Sequence, residues 1–193
     1  IQGGLDIQSG FCEIISPGNV TLGAGSLVHT GALLRVVNGS TVSGGANLTI
    51  QSGGILAFLL SPTATWAGTP TYAAGSLLYY DNTNRTTGAE LPAVMAGNVN
   101  LFGGACAITI GASSQLNGAL LMTSSTLTVA SPNVLTLASA TNVIDAASTF
   151  TVNAGAAECA IISGGNLTNN GTMNVNGTLT LDGTGVYNAA SAN

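Results

Sequence analysis

Two stretches decide the reading of this chain: Gly31-Ala32-Leu33-Leu34 running on to Asn47-Leu48-Thr49-Ile50, and Gly118-Ala119-Leu120-Leu121 running on to Val134-Leu135-Thr136-Leu137. They are equally long, and Thr41-Val42 in the first matches Thr128-Val129 in the second. Upstream, Val20-Thr21-Leu22-Gly23-Ala24-Gly25-Ser26 aligns with Ile108-Thr109-Ile110-Gly111-Ala112-Ser113-Ser114, with one residue inserted before Gly31. A third, partial copy follows in Leu179-Thr180-Leu181-Asp182-Gly183-Thr184-Gly185-Val186, which has the pattern of Leu48-Thr49-Ile50-Gln51-Ser52-Gly53-Gly54-Ile55. Serial self-similarity of this kind marks a repeat architecture. Each copy holds several strand-turn units, so the copies read as blocks of coils.

Within the copies the recurrent unit is an apolar–Thr–apolar triplet: Val20-Thr21-Leu22, Leu48-Thr49-Ile50, Ile108-Thr109-Ile110, Leu127-Thr128-Val129, Leu135-Thr136-Leu137, Phe150-Thr151-Val152 and Leu179-Thr180-Leu181. Side chains alternate across a strand, so each triplet turns two aliphatics inward and a threonine outward. Clusters such as Ser16-Pro17-Gly18-Asn19 and Ser131-Pro132-Asn133 separate the strands. Very short strands with small-residue turns favour a β-helix over a β-sandwich. The expected fold is all-β: a single right-handed parallel β-helix (β-solenoid) domain over 1–193. Residues from about 61 to 97 break the pattern with Pro62, Pro70 and Pro92 and are expected to form a lateral excursion. That segment also holds Trp66, Tyr72, Tyr79 and Tyr80. These four either pack into a lateral apolar seam or form an aromatic contact surface for glycans or a neighbouring subunit.

Composition narrows the function. Of 193 residues, 46% are hydrophobic and 5% charged, with no Lys and two Arg. Disordered chains show the opposite balance. Nucleic-acid binding draws on clustered cations and is excluded as an expectation. Membrane insertion is not expected either, because the run from Ile55 to Leu60 is far below the roughly 18 apolar residues of a spanning helix. Nearly uncharged surfaces resist association poorly, which suits a self-assembling protein.

Cys12, Cys106 and Cys159 each precede an Ile by two residues, so each sulfur is expected to point inward. They read as buried thiols or as one disulfide. No Cys-x-x-Cys pair exists and His29 is the single histidine, so neither a metal site nor a cofactor is expected. Ile1-Gln2-Gly3-Gly4 lacks the basic start and apolar core of a signal peptide, so the numbering is expected to begin after processing or inside a longer chain. Sequons at Asn19, Asn38, Asn47, Asn84, Asn166, Asn170 and Asn176 reflect Asn/Thr-rich composition before glycosylation.

Enzymatic chemistry finds little support. Glycoside hydrolysis needs two carboxylates about 5–10 Å apart, and Asp6, Glu13, Asp81, Glu90, Asp145, Glu158 and Asp182 never form an i, i+2 pair. His29 has no acid near it in sequence and reads as a turn residue. A polysaccharide-degrading β-helix is therefore the weakest expectation, and the chain is read as not an enzyme. Thr-x-Thr pairs at Thr126/Thr128, Thr149/Thr151 and Thr178/Thr180 raise an ice-binding or carbohydrate-binding module as an alternative. Their unequal intervals, 149 − 126 = 23 and 178 − 149 = 29, argue against one aligned ladder.

Thr71-Tyr72-Ala73-Ala74-Gly75-Ser76-Leu77-Leu78-Tyr79-Tyr80, followed by Arg85-Thr86-Thr87-Gly88-Ala89-Glu90-Leu91-Pro92, resembles an element of giant repetitive cell-surface proteins of gliding bacteria. In that family it precedes a run like Asn98-Val99-Asn100-Leu101 and coils like Leu127 to Thr136. The resemblance spans most of the chain from about Ser61 onward. It implies a secreted, surface-displayed, repeat-built protein with an adhesive or filamentous role, and carries over no catalytic residue. Together with the strand-like start at Leu5-Asp6-Ile7 and the stop at Tyr187-Asn188-Ala189-Ala190, it leads to an expected extracellular structural role. The expected form is a stalk, filament subunit or adhesin segment that associates with itself end to end.

Overall fold

In the computed structural model, residues 4–189 are described; the readings that involve Ile1, Gln2, Gly3 and Ala190 lie outside them. Every strand pairing among them is parallel, and the one helical element is a single 3₁₀ turn at Gly45–Asn47. A coil consists of three short strands. Ser26–Val28, Ala32–Val37 and Thr41–Ser43 make one, and Leu48–Ile50, Ile55–Leu59 and Thr65–Trp66 make the next. Each strand lies on its counterpart one coil away: Ser26 faces Leu48, Leu33 faces Ile55 and Thr41 faces Thr65. Leu33 to Ile55 and Ile55 to Leu77 are steps of 55 − 33 = 22 and 77 − 55 = 22 residues. The step later ranges from 186 − 166 = 20 to 167 − 142 = 25. The protein is a β-solenoid of about eight turns.

The stacked strands form three faces. The second face is one unbroken nine-stranded sheet from Gly10–Ile14 to Val186–Ala189. The first face is divided into a four-stranded sheet ending at Thr71–Tyr72 and a five-stranded sheet beginning at Val94–Met95. The third is divided into a three-stranded sheet ending at Thr65–Trp66 and a five-stranded sheet beginning at Asn84–Thr86.

Two sequence expectations are corrected here. The copies that open at Gly31 and Gly118 are single coils, each passing once over all three faces. Three strands of three or four residues already make a full turn, so several strand-turn units amount to one coil. The segment 61–97 does not leave the solenoid. Thr65–Trp66, Thr71–Tyr72, Leu77–Asp81, Asn84–Thr86 and Val94–Met95 are all rungs of the sheets. Pro62, Pro70 and Pro92 fall between strands, where no ladder donor is lost. The irregularity signalled by the prolines is the interruption of the first and third faces.

The threonine triplets hold their predicted register. Leu22, Leu48, Ile50, Ile108, Ile110, Leu127, Val129, Leu135 and Leu137 are buried in one continuous core, and Val20 packs against it. Thr49, Thr109 and Thr136 lie on the outer side, partly exposed. A filled, narrow core needs short strands and tight corners, and the corners leave backbone groups without ladder partners. Polar side chains turned inward supply those partners. Ser26 and Ser76 donate to the carbonyls of Gly23 and Ala73, while Asn142 accepts from the Leu120 amide and donates to the Asn166 carbonyl.

Candidate interaction surfaces

The four aromatics singled out by the sequence do not assemble a contact surface. Trp66, Tyr72 and Tyr80 are buried, and Tyr79 is partly exposed on the second face beside Phe102, with ring centroids 6.3 Å apart. Their alternation decides this: Tyr80 follows Tyr79 by one residue and so takes the opposite side of the strand. Phe58 stacks on Tyr80 at 5.7 Å and meets the edge of Trp66 at 5.9 Å. The Trp66 indole donates to the Gly68 carbonyl at 2.7 Å.

Around these rings sits a polar cluster that the sequence reading did not single out. Arg85 lies 4.3 Å from the Phe58 ring centroid, and its Nη2 is 3.2 Å from Glu90 Oε1. Glu90 is fully buried and also accepts from the Tyr80 hydroxyl and the Gly88 amide. Its carbonyl accepts from the Tyr72 hydroxyl at 2.9 Å. Burial, followed by the charge of Glu90, raises both tyrosine hydroxyls well above their usual range. The cluster bridges the interrupted faces: Tyr72 and Glu90 span the gap on the first, while the Ser61 amide donates to Thr83 Oγ1 across the gap on the third. The only sequence signal was that Asp81, Arg85 and Glu90 fall close together beside tyrosines in a chain with few charges.

The three cysteines are free thiols. Cys106 and Cys159 are buried and Cys12 is half-buried, all on the side of the strand that holds the following Ile. Burial pushes the Cys159 thiol up to about 12 and raises that of Cys106. His29, read as lacking a nearby acid, has one through coil stacking: its Nε2 is 2.7 Å from Asp6 Oδ1, one coil below. Hydrogen bonds from Gln8 and His29 hold the Asp6 carboxyl below the usual range. The carboxylates on strands meet no second carboxylate in their ladders. Glu13 faces Arg35, Asp81 faces Leu59 and Phe102, and Glu158 faces Val134 and Thr178. A narrow interior void between Tyr80, Leu101, Ile108 and Leu127 is too small for a ligand.

Outer surfaces differ from face to face. On the third face Thr86, Thr109, Thr128 and Thr151 stand in one column over four consecutive rungs, and Thr126, Thr149 and Thr172 stand in another over three. The interval of 23 is one coil, whereas Thr178 and Thr180 belong to the first face. That is why the intervals are unequal although the ladder is aligned. Among the described residues these seven hydroxyls have no protein hydrogen-bond partner, unlike Thr41 and Thr65, which bond each other at 3.1 Å. The second face is richer in apolar side chains. Its outward positions include Phe11, Leu33, Ile55 and Leu77 in one column and Val37, Leu59, Asp81 and Phe102 in another, with Glu13 and Arg35 between the columns.

Among the described residues, strands of the first and last coils have a ladder neighbour on one side only. At the C-terminal end Leu181 is 54% exposed, although its counterpart one coil below, Ile161, is fully buried.

No protein-family model matches the chain, and a search of curated proteins found no match. Among solved structures it is similar to the TibC-catalysed hyper-glycosylated fragment of TibA. The identity is 14% and the TM-score 0.24, over 97% of this chain and 81% of that one. A superposition so loose carries no argument about role. The fold rests on the strand ladders of this chain.

Proposed function

We propose that this chain is a structural element of the cell exterior, a stalk, filament subunit or adhesin segment in which solenoid coils stack end to end and no chemistry is catalysed. The observation that carries the reading is the stacking itself: each strand lies in register on its counterpart one coil away over one continuous core, a geometry that grows by adding coils, whether from another copy or from the same polypeptide. A head-to-tail contact of this kind is heterologous and continues instead of closing. The nearly uncharged surface adds little repulsion. Absence of a second carboxylate opposite Glu13, Asp81 or Glu158 supports the non-catalytic reading.

Denaturing mass spectrometry of native material, beside negative-stain microscopy, tests it. Filaments that dissolve into chains near 18.9 kDa support the subunit form, and a far larger polypeptide supports the segment form. A monomer that stays dispersed at high concentration, with covered ends, overturns both. Turnover of any plant or bacterial polysaccharide, lost on replacing one carboxylate, overturns the non-catalytic part.

A second reading has its own observation, the unpartnered threonine columns of the third face. Rungs about 4.8 Å apart, with threonines two residues apart along each strand, would hold water in a regular array as an ice-binding surface does. The test is inhibition of ice recrystallisation by the purified chain. Activity abolished by Thr128→Tyr and Thr149→Tyr supports this reading, and no activity at millimolar concentration removes it.

A further inference from the structure

Four Asn-Gly pairs occur in the chain: Asn38-Gly39, Asn117-Gly118, Asn170-Gly171 and Asn176-Gly177. In each, the glycine amide nitrogen can close a small ring onto the asparagine Cγ, so the backbone carries a nucleophile beside an electrophilic amide. What the fold does with that nitrogen separates the four. The Gly39 amide donates to Thr63 Oγ1 at 3.1 Å, the Gly171 amide to Asn169 Oδ1 at 3.1 Å and the Gly177 amide to the Val152 carbonyl at 3.2 Å. Among the described residues, the Gly118 amide alone of these four has no hydrogen-bond partner. At the same pair the side chain is held as an electrophile. Gln115 Nε2 donates to Asn117 Oδ1 at 2.8 Å, and Asn117 is exposed to water.

We propose that Asn117 is a site of spontaneous covalent modification, passing through a succinimide to isoaspartate. The Gly118 nitrogen gives its proton to hydroxide and attacks Asn117 Cγ. The N–Cγ bond forms, the Cγ–Nδ2 bond breaks, and ammonia leaves with a proton returned from water. Water then opens the ring at either carbonyl. One opening leaves aspartate, and the other leaves isoaspartate, with the backbone rerouted through Cγ. No electrons are exchanged, and water is the only co-reactant. The attack pushes negative charge onto Oδ1, and the Gln115 donor stands where that charge develops. Asn38 is the instructive contrast. Its Oδ1 accepts from both the amide and the hydroxyl of Thr63, yet the same hydroxyl accepts from the Gly39 amide and holds the nucleophile back.

The fold keeps this weak point because its glycine cannot be exchanged. A Cβ at Gly118 would meet the Gly97 carbonyl and the Asn98 amide nitrogen one coil below. The pair lies at the corner between Ser114–Leu116 on the first face and Leu120–Thr123 on the second. Isoaspartate there adds one backbone atom to the link and a negative charge to the surface, beside a contact with no room for extra chain. The converted coil therefore sits less well on its neighbour. None of this depends on association between copies.

To test this, the purified chain is aged at mildly alkaline pH, both folded and in urea. The four sites are followed by peptide mapping with mass spectrometry and by isoaspartyl methyltransferase labelling. In urea the four pairs are expected to convert at similar rates. In the folded chain Asn117 is expected to convert at least about fivefold faster than Asn38, Asn170 or Asn176, the factor for breaking one ordinary hydrogen bond. Isoaspartate is expected among its products. Gln115→Leu and Gln115→Glu, neither of which can donate at that pH, are each expected to slow conversion at position 117 about fivefold, with an unchanged far-ultraviolet circular dichroism spectrum. Chains carrying isoaspartate, separated by their added charge, are expected to unfold at a lower temperature than unconverted chains. Equal rates at the four sites of the folded chain, or faster conversion at another pair, would overturn the proposal. So would aspartate without isoaspartate at position 117, or an unchanged rate in both Gln115 variants. Equal unfolding midpoints would overturn the effect on the coil.

Discussion

At the residue scale, the buried charges are where the sequence rule of aliphatic in, threonine out is broken. Arg85 and Glu90 are taken out of water together, and each keeps neutral hydrogen-bond partners besides its counter-ion. Removing one member of a buried pair leaves an unpaired charge, at a typical cost of about 3–5 kcal/mol, whereas removing both costs less. Arg85→Met is expected to destabilise by about 3 kcal/mol or more, and Arg85→Met with Glu90→Gln by less, read from urea unfolding. An additive double variant would show that the two side chains act independently. The tyrosines report the same environment by pH. Tyr72 and Tyr80 have folded-state values above their unfolded ones, so folding holds their protons where the unfolded chain would release them. Their stabilising contribution is complete below about pH 10, the unfolded value, and is lost as the pH rises beyond it. Ultraviolet titration is expected to show Tyr72 and Tyr80 ionising only as the solenoid unfolds. Ionisation of all four tyrosines with circular dichroism unchanged would contradict the buried placement.

At the element scale, the strands were legible and the corners were not. The triplet at Leu135-Thr136-Leu137 states its own register, because alternation is local and the core lies on one side. The burial of Trp66 and Tyr80 was legible only as one of two readings, since aromatics serve packing and contact equally well. The prolines of 61–97 marked a real irregularity but not its nature. Pro62, Pro70 and Pro92 have the same local effect at a tight corner as in a departing loop, and only the stacking of Thr65–Trp66 on Thr41–Ser43 tells them apart. His29 with Asp6 and the threonine columns escaped for the same reason, because partners one coil away are set by corner lengths that vary from coil to coil. Corners also hold the strictest steric demands. A Cβ at Gly118 would run into the backbone of Gly97 and Asn98, one coil below, which cannot yield without breaking the stack. Gly118→Ala is expected to cost about 2 kcal/mol or more, seen as a lower midpoint in thermal unfolding, while Gly104→Ala, whose Cβ meets nothing, is expected to stay near wild type.

At the scale of the whole molecule, a chain with 5% charged residues has little Coulombic repulsion to screen. Association between copies of the chain is therefore expected to tolerate salt. Raising sodium chloride about tenfold shortens the screening length about threefold yet is expected to change association little, whereas sulfate, excluded from protein surfaces, strengthens it; light scattering in the two salts separates the cases. Dissolution of assemblies by sodium chloride would show that ions hold them together. The interrupted faces have a mechanical meaning. Ladder hydrogen bonds run along the solenoid axis, so a pull or a bend loads the rows of bonds between successive coils. Most coil boundaries hold three such rows. The boundary above Thr65–Trp66 lacks the row on the third face and the one above Thr71–Tyr72 lacks the row on the first, while the second face runs through both. The column thus has a continuous spine and two adjacent notches on its other sides, each crossed by side-chain bonds from Ser61 to Thr83 and from Tyr72 to Glu90. Under lateral load it flexes there first, with the unbroken second face as the hinge plate.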